Sequence, residues 1–85
     1  MNKLIFGVAL ESMKGGSKVA RLGWNGKGMW LVLVDALMWT YHGDGPIMSE
    51  DQLPWIGMRT ADGKFVPWLA SQTDVLAEDW IILKD

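Results

Sequence analysis

Eighty-five residues make a single domain, 1–85, with room for only a modest core. The chain has no cysteine and one histidine, which excludes a disulfide framework, thiolate metal sites and His-based zinc clusters. Its net charge of −2 argues against a nucleic-acid polymer as partner, because such binding rests on clustered Lys and Arg.

Hydrophobic residues make up 49% of the chain, with six Trp and six Met in a protein that has little interior to hold them. Small domains are commonly reinforced by disulfides, a metal or oligomerisation, and only the last is open here. Several Trp are therefore expected at subunit interfaces or around a pocket. No apolar run approaches the ~20 residues of a membrane span. The N-terminal residues lack the apolar core and cleavage site of a secretory signal. The expectation is a cytoplasmic protein with no metal and no membrane partner.

In chain order, residues 4–14 read as a short amphipathic helix. Phe6, Ala9, Leu10 and Met13 fall at i, i+3, i+4 and i+7. Lys14 suits the negative helix end, and Gly15-Gly16 stops it. A helix of about two turns does not stand alone in water, so it must pack on a sheet. Residues 17–22 form a short strand, and 23–28 its turn, with Asn25-Gly26 as a hairpin signal. Residues 29–34 are continuously apolar, the pattern of a strand covered on both faces. The helix covers one face, and a second subunit is a candidate for the other. Residues 35–54 have no clear pattern and read as an excursion. A strand over 55–60, a turn at Asp62-Gly63 and a partner strand over 64–66 follow. Pro67 bars that partner from the centre of a sheet. Ser71 and Asp74 resemble a capping box with Asp in place of Glu, starting a helical turn that runs to Ala77. Residues 79–83 close the domain as a strand. The predicted fold class is α+β: an N-terminal helix on a small, mostly antiparallel sheet, with a helical turn near 71–77.

Catalytic machinery is not apparent. Nucleophilic catalysis needs an activated Ser, Cys or Lys beside a base, and the one His, His42, lies in the least patterned stretch. Asp74 with Asp79 is a conceivable acid–base pair, but Asp74 reads as a cap and Asp79 as the start of a strand. Gly26-Lys27-Gly28 lacks the spacing of a phosphate loop and has Met29 where Ser or Thr is required. No catalytic residue, metal ligand or cofactor is assigned, and binding is favoured over catalysis.

Two clusters carry the binding reading. The first is Arg21, Trp24, Asn25 and Lys27, within a stretch that has three glycines at 23, 26 and 28. The second is Trp68 with Ser71, Gln72 and Asp74. Indole faces stack on nucleobases, Asn, Gln and Asp read base edges or ribose hydroxyls, and Arg and Lys neutralise a pyrophosphate. The N–H groups starting the turn after Ser71, or those of the N-terminal helix near Gly7, are further donors for an oxyanion. Each residue also has a plain architectural reading. Trp24 and Trp68 close the ends of a sheet, Asn25 supplies a positive φ in a type I′ turn, and Lys27 is a solvated turn lysine. Arg21 is harder to dismiss. Its neighbours are apolar, and a buried guanidinium needs a partner, for which Asp74 and Asp79 are the candidates. Trp30, Trp55 and Trp80 lie in apolar runs and read as core or interface; Trp39 has no assigned place.

Three blocks together resemble a known family. They are Phe6-Gly-x-Ala-Leu with Lys14-Gly15; Val19-Ala20-Arg21-x-Gly23-Trp24-Asn25-Gly26-Lys27-Gly28-Met29; and Pro67-Trp68-x-x-Ser71-Gln72-x-Asp74-x-Leu76-x-x-Asp79-Trp80. This pattern is similar to the second Thoeris anti-defence family of small phage proteins, over nearly the full length. The resemblance implies a non-enzymatic sponge acting in the cytoplasm of the infected bacterium. Its ligand would be a small nucleotide-derived signal, a cyclic ADP-ribose isomer made by Thoeris TIR proteins. The resemblance further implies a homotetramer with pockets between subunits and, in some members, a separate site for cyclic oligonucleotides of the CBASS system. On that reading Trp24 or Trp68 stacks on adenine, Arg21 and Lys27 face the pyrophosphate, and Asn25, Ser71, Gln72 and Asp74 bond ribose or base. A Trp-rich protein-interaction module and a signal-degrading enzyme are the competing readings.

Overall fold

The computed structural model describes residues 3–35 and 52–84. The expected excursion over 35–54, including Trp39 and His42, falls mostly outside them. Within the described residues the fold is α+β, in the order α1 (Phe6–Lys14), β1 (Lys18–Arg21), a 3-10 helix (Leu22–Lys27), β2 (Trp30–Val34), β3 (Trp55–Arg59), β4 (Phe65–Pro67), α2 (Gln72–Val75) and β5 (Trp80–Leu83). The five strands form one sheet in the order β4-β3-β2-β1-β5, with every pairing antiparallel.

Helix α1 has the apolar face that its sequence spells out. Ala9 and Met13 are fully buried, and Phe6 and Leu10 pack beside them on the sheet. Its C-terminus is closed by a Schellman motif. The Ser17 N–H donates to Ser12 O at 3.0 Å and the Gly16 N–H to Met13 O at 2.9 Å. Gly16 takes the required left-handed conformation, φ 100°, so it is the second glycine of the pair that turns the chain.

Strand pairing decides which side chains meet α1. Residues opposite one another in an antiparallel pair share a face, and neighbours along a strand alternate. Val19 opposes Leu31, Leu31 opposes Met58, and Leu33 opposes Ile56; these lie on the α1 face. Trp30, Val32 and Val34 then fall on the other face, with Arg59, Gly57 and Trp55 opposite them. On that second face the Phe65 ring covers Gly57 so closely that a Cβ there would lie 2.2 Å from its Cζ. Phe65 thereby sits near both Trp30 and Trp55, with ring centroids 6.2 and 5.9 Å apart. The Lys18 Nζ lies 4.6 Å above the Trp30 ring. The apolar run 29–34 is thus a central strand with one face under α1 and one aromatic face on the far side.

One expectation needs correction. The turn at 23–28 is not a two-residue Asn-Gly hairpin. Residues 22–27 form a 3-10 helix, in which Asn25 has no positive φ to supply; the positive φ falls at Gly28, at 70°. The Leu22 N–H donates to Asp79 O at 2.9 Å, so the chain leaving β1 stays tied to the segment before β5. The helical turn expected near 71–77 is present as α2 over Gln72–Val75, with Ser71 and Leu76 as its caps. Pro67 stands on the edge strand, where its missing N–H costs no ladder bond.

Candidate functional site

Arg21 ends β1, directly opposite Trp80 on β5. Its guanidinium reaches two carboxylates at once. Nε donates to Asp79 Oδ1 at 2.9 Å, Nη1 to Asp74 Oδ1 at 2.8 Å, and Nη2 to Asp79 Oδ2 at 3.4 Å. The hydrogen bonds from Asp79 and then Asp74 raise the Arg21 pKa above its ordinary value, outweighing the opposing effect of burial. Both candidate partners named from the sequence are therefore its partners. The Arg21 and Asp74 side chains are only 24% and 19% exposed, which makes this a shielded pair rather than a surface contact.

Asp74 is also fixed from its other side. Ser71 is the N-cap of α2, and its hydroxyl oxygen accepts from the Asp74 N–H at 3.1 Å. The same hydroxyl donates to Asp74 Oδ2 at 3.0 Å. This differs from a capping box with Glu. The shorter Asp side chain meets the Ser hydroxyl instead of reaching back to the backbone N–H. The Asp74 carbonyl oxygen accepts the Trp80 indole N–H at 2.9 Å. Ser71, Asp74, Arg21, Asp79 and Trp80 thus form one connected polar chain from α2 to the sheet.

Trp80 is fully buried and is the hub of an aromatic group. Trp24 meets it edge-on at a 5.4 Å centroid distance and 79°, Trp68 at 6.1 Å and 83°, and Phe6 lies tilted at 5.1 Å. Phe6 also lies 5.7 Å from Trp68. Edge-to-face contacts at these separations are favourable for indoles. The two clusters seen in the sequence therefore converge on a third tryptophan, which the sequence reading placed only in the core or an interface. Trp24 and Trp68 are both half-buried against it.

Phe6 brings the start of α1 to the same place. Ile5, the N-cap, makes no side-chain capping bond, and the first turn has no acidic residue. The Val8 and Ala9 N–H groups bond Ile5 O at 3.1 and 3.2 Å. The Phe6 and Gly7 N–H groups precede that first bond, at the positive end of the helix.

The remaining site residues stand apart from this network. Lys27 is exposed at the end of the 3-10 helix, and Gln72 is exposed on the first turn of α2; neither makes a side-chain hydrogen bond among the described residues. Asn25 lies within the 3-10 helix, one residue after Trp24. Phe6, Asp79 and Trp80 belong to the arrangement but were not among the sequence-based site residues. Asp79 had a visible signal as a counterion for Arg21. Phe6 and Trp80 had none, because apolar periodicity does not distinguish a core ring from one that supports a site. Among the described residues no group of His, Asp and Glu is placed to hold a metal ion, and no helix is long and apolar enough to cross a membrane.

Fold and site together define a small α+β domain whose aromatic cluster around Trp80 is braced by an arginine between two carboxylates. The chain belongs to the Thoeris anti-defense 2-like family, whose domain description matches residues 4–83. It is similar to Thoeris anti-defense 2 of Bacillus phage SP01, at 48% identity over 88 residues, covering 95% of this chain and 96% of that protein. The resemblance carried by the three sequence blocks is thereby established at the level of the family.

Proposed function

We propose that the protein is a sponge. It binds a cyclic ADP-ribose isomer made by Thoeris TIR proteins and withholds it from the host effector without cleaving it. The observation that carries this reading is the pair of half-buried indoles, Trp24 and Trp68, both standing edge-on to the buried Trp80. This edge-to-face packing holds each indole against Trp80 while part of its surface remains exposed. Trp24 and Trp68 are proposed as the stacking walls, Lys27 as the cation that meets the pyrophosphate, and Arg21 as the cation beside it that holds Asp74 and Asp79. Asn25, Ser71, Gln72 and Asp74 are the hydrogen-bonding groups, and the N–H groups at the start of α1 are supplementary donors for the pyrophosphate.

A binding role also suits the state of the polar groups. Asp74 and Asp79 are both bonded to Arg21, and the Ser71 hydroxyl caps α2 by bonding the Asp74 N–H and carboxylate, so all three have structural work in the network. A sponge needs tight capture. Nanomolar affinity corresponds to about −12 kcal/mol, which favours a pocket closed between subunits over a shallow site on one. A homotetramer is part of the proposal. The far face of the sheet supports it, with Trp30 and Trp55 half-buried and Phe65 exposed, as does the 92% exposure of Leu69 and 74% of Leu76. A separate site for cyclic oligonucleotides completes the proposal.

The test uses the products of an activated Thoeris TIR protein. Mixed with the pure protein and filtered, the filtrate should lose the signal, and heating the retained protein should release it intact. Depletion without recovery would identify a degrading enzyme. No depletion would leave the Trp-rich interaction module as the better reading. Light scattering should give about four chains per particle, and a monomer at micromolar concentration would overturn the interface pocket.

A further inference from the structure

The cationic side of the site contains two kinds of cation. Lys27 is exposed and makes no side-chain hydrogen bond among the described residues. Arg21 is shielded, and its Nε and Nη1 are committed to Asp79 and Asp74. A phosphate approaching Arg21 would meet a guanidinium already flanked by two carboxylates that repel the phosphate, with three of its five N–H groups spent on Asp79 and Asp74. The helix on the far side of that bond has little else to hold it. Helix α2 is four residues long and buries none of them. A single turn has no stability of its own. Two polar ties join Asp74 to the sheet: its carboxylate to Arg21 and its carbonyl to the Trp80 indole. The second tie also fixes the rotation of the Trp80 ring, against which Trp24 and Trp68 both stand.

The geometry points to Arg21 as a positioning residue for ligand capture, a latch that acts through Asp74 and Asp79 on the Trp80 platform and makes no direct contact with the ligand's phosphates. This inference rests on the sponge reading and assigns the direct charge contact to Lys27. Without the latch α2 keeps only the Trp80 indole bond, and the Asp74 carbonyl that orients Trp80 is held less firmly. The two stacking indoles then lean on a less firmly oriented surface.

The two roles for Arg21 predict opposite signs for one substitution. Asp79→Ala removes a carboxylate and frees part of the guanidinium. If Arg21 touched the phosphates, capture of an anion would stay the same or strengthen. As a latch it must weaken, because Arg21 then loses one of the two carboxylates that hold it in place. The probe is the cyclic product purified from an activated Thoeris TIR reaction, titrated against wild-type protein, Arg21→Gln, Asp79→Ala and the double variant. Urea midpoints identify conditions in which each is fully folded. The latch predicts that both single variants weaken capture and that the double variant is no weaker than the worse single, because the residues act as one unit. It also predicts faster exchange of the Trp80 indole N–H in Arg21→Gln, followed by NMR. Should Arg21→Gln fail to fold, the sign for Asp79→Ala decides alone. Capture by Asp79→Ala at or above wild-type strength overturns the latch while leaving the sponge intact. Absence of capture by the wild-type protein overturns the sponge and this role together.

Discussion

Replacement of Trp80 by alanine is expected to produce the largest loss of stability of any single substitution in the sheet. The side chain is fully buried and contacts Phe6, Trp24 and Trp68. Truncating a buried Trp to Ala typically costs about 3–5 kcal/mol. A domain of this length has a total stability of roughly 4–13 kcal/mol at the usual value per residue. Trp80→Ala should therefore remove about a quarter of it or more. Trp80→Phe separates packing from hydrogen bonding. It retains an aromatic ring but has no N–H for the Asp74 carbonyl. That carbonyl keeps a second donor, the Ala77 N–H at 3.3 Å, so it is not stranded. The expected cost is about 1–2 kcal/mol, combining the lost bond with imperfect filling of the indole site. Urea unfolding followed by far-UV circular dichroism measures both. An unchanged midpoint in Trp80→Ala would mean that Trp80 is not the centre of the core.

Much of this arrangement is legible from the chain, and what is hidden has a physical cause. The helical face of Phe6, Ala9, Leu10 and Met13 follows from a 3.6-residue repeat, which is local. The edge position of β4 follows from the missing N–H of Pro67, which is also local. The partners of Arg21 follow from a near-universal demand, that a shielded guanidinium find carboxylates, and only a few were in reach. The 3-10 helix over Leu22–Lys27 is different. Asn-Gly favours a tight turn by itself, but here the backbone is held at Leu22 by Asp79, and Trp24 packs on Trp80. A tertiary requirement overrides a local preference. The division of the tryptophans is hidden for another reason. Trp30 and Leu31 are adjacent, and whichever faces α1 is set by strand register; a slip of one residue exchanges them. The register Val19 to Leu31 sends Trp30 to the far face, and no property of 29–34 alone encodes that choice. For the same reason the role of Trp80 as a platform emerges only when β5 returns beside β1, a contact between residues 58 or more positions apart.

Trp24→Ala is expected to weaken capture of the cyclic signal by roughly 5- to 150-fold while leaving a folded protein. Trp24 is half-buried, so part of its surface is open to a ligand and part rests on Trp80. Stacking of a base on an aromatic side chain is worth about 1–3 kcal/mol, which corresponds to roughly 5- to 150-fold in affinity. A nanomolar sponge would then hold its signal with a Kd of roughly 5–150 nM. Trp24→Phe keeps a stacking face and should recover most of the affinity, which distinguishes lost stacking from a collapsed site. Asp74→Ala is the companion variant. It removes the acceptor for Arg21 and for the Ser71 hydroxyl in one step, and leaves the Arg21 guanidinium with Asp79 alone. Breaking one partner of a shielded pair costs more than the pair itself contributes, because the remaining charge is left with fewer bonds. Asp74→Ala should therefore weaken capture at least as much as Trp24→Ala, with a lower urea midpoint that Trp24→Phe does not share. Both are read by the same assay, depletion of the TIR products from a filtrate and their recovery on heating. Wild-type capture in both variants would place the ligand elsewhere on the protein, and the far face of the sheet around Trp30, Phe65 and Trp55 would be the next surface to substitute.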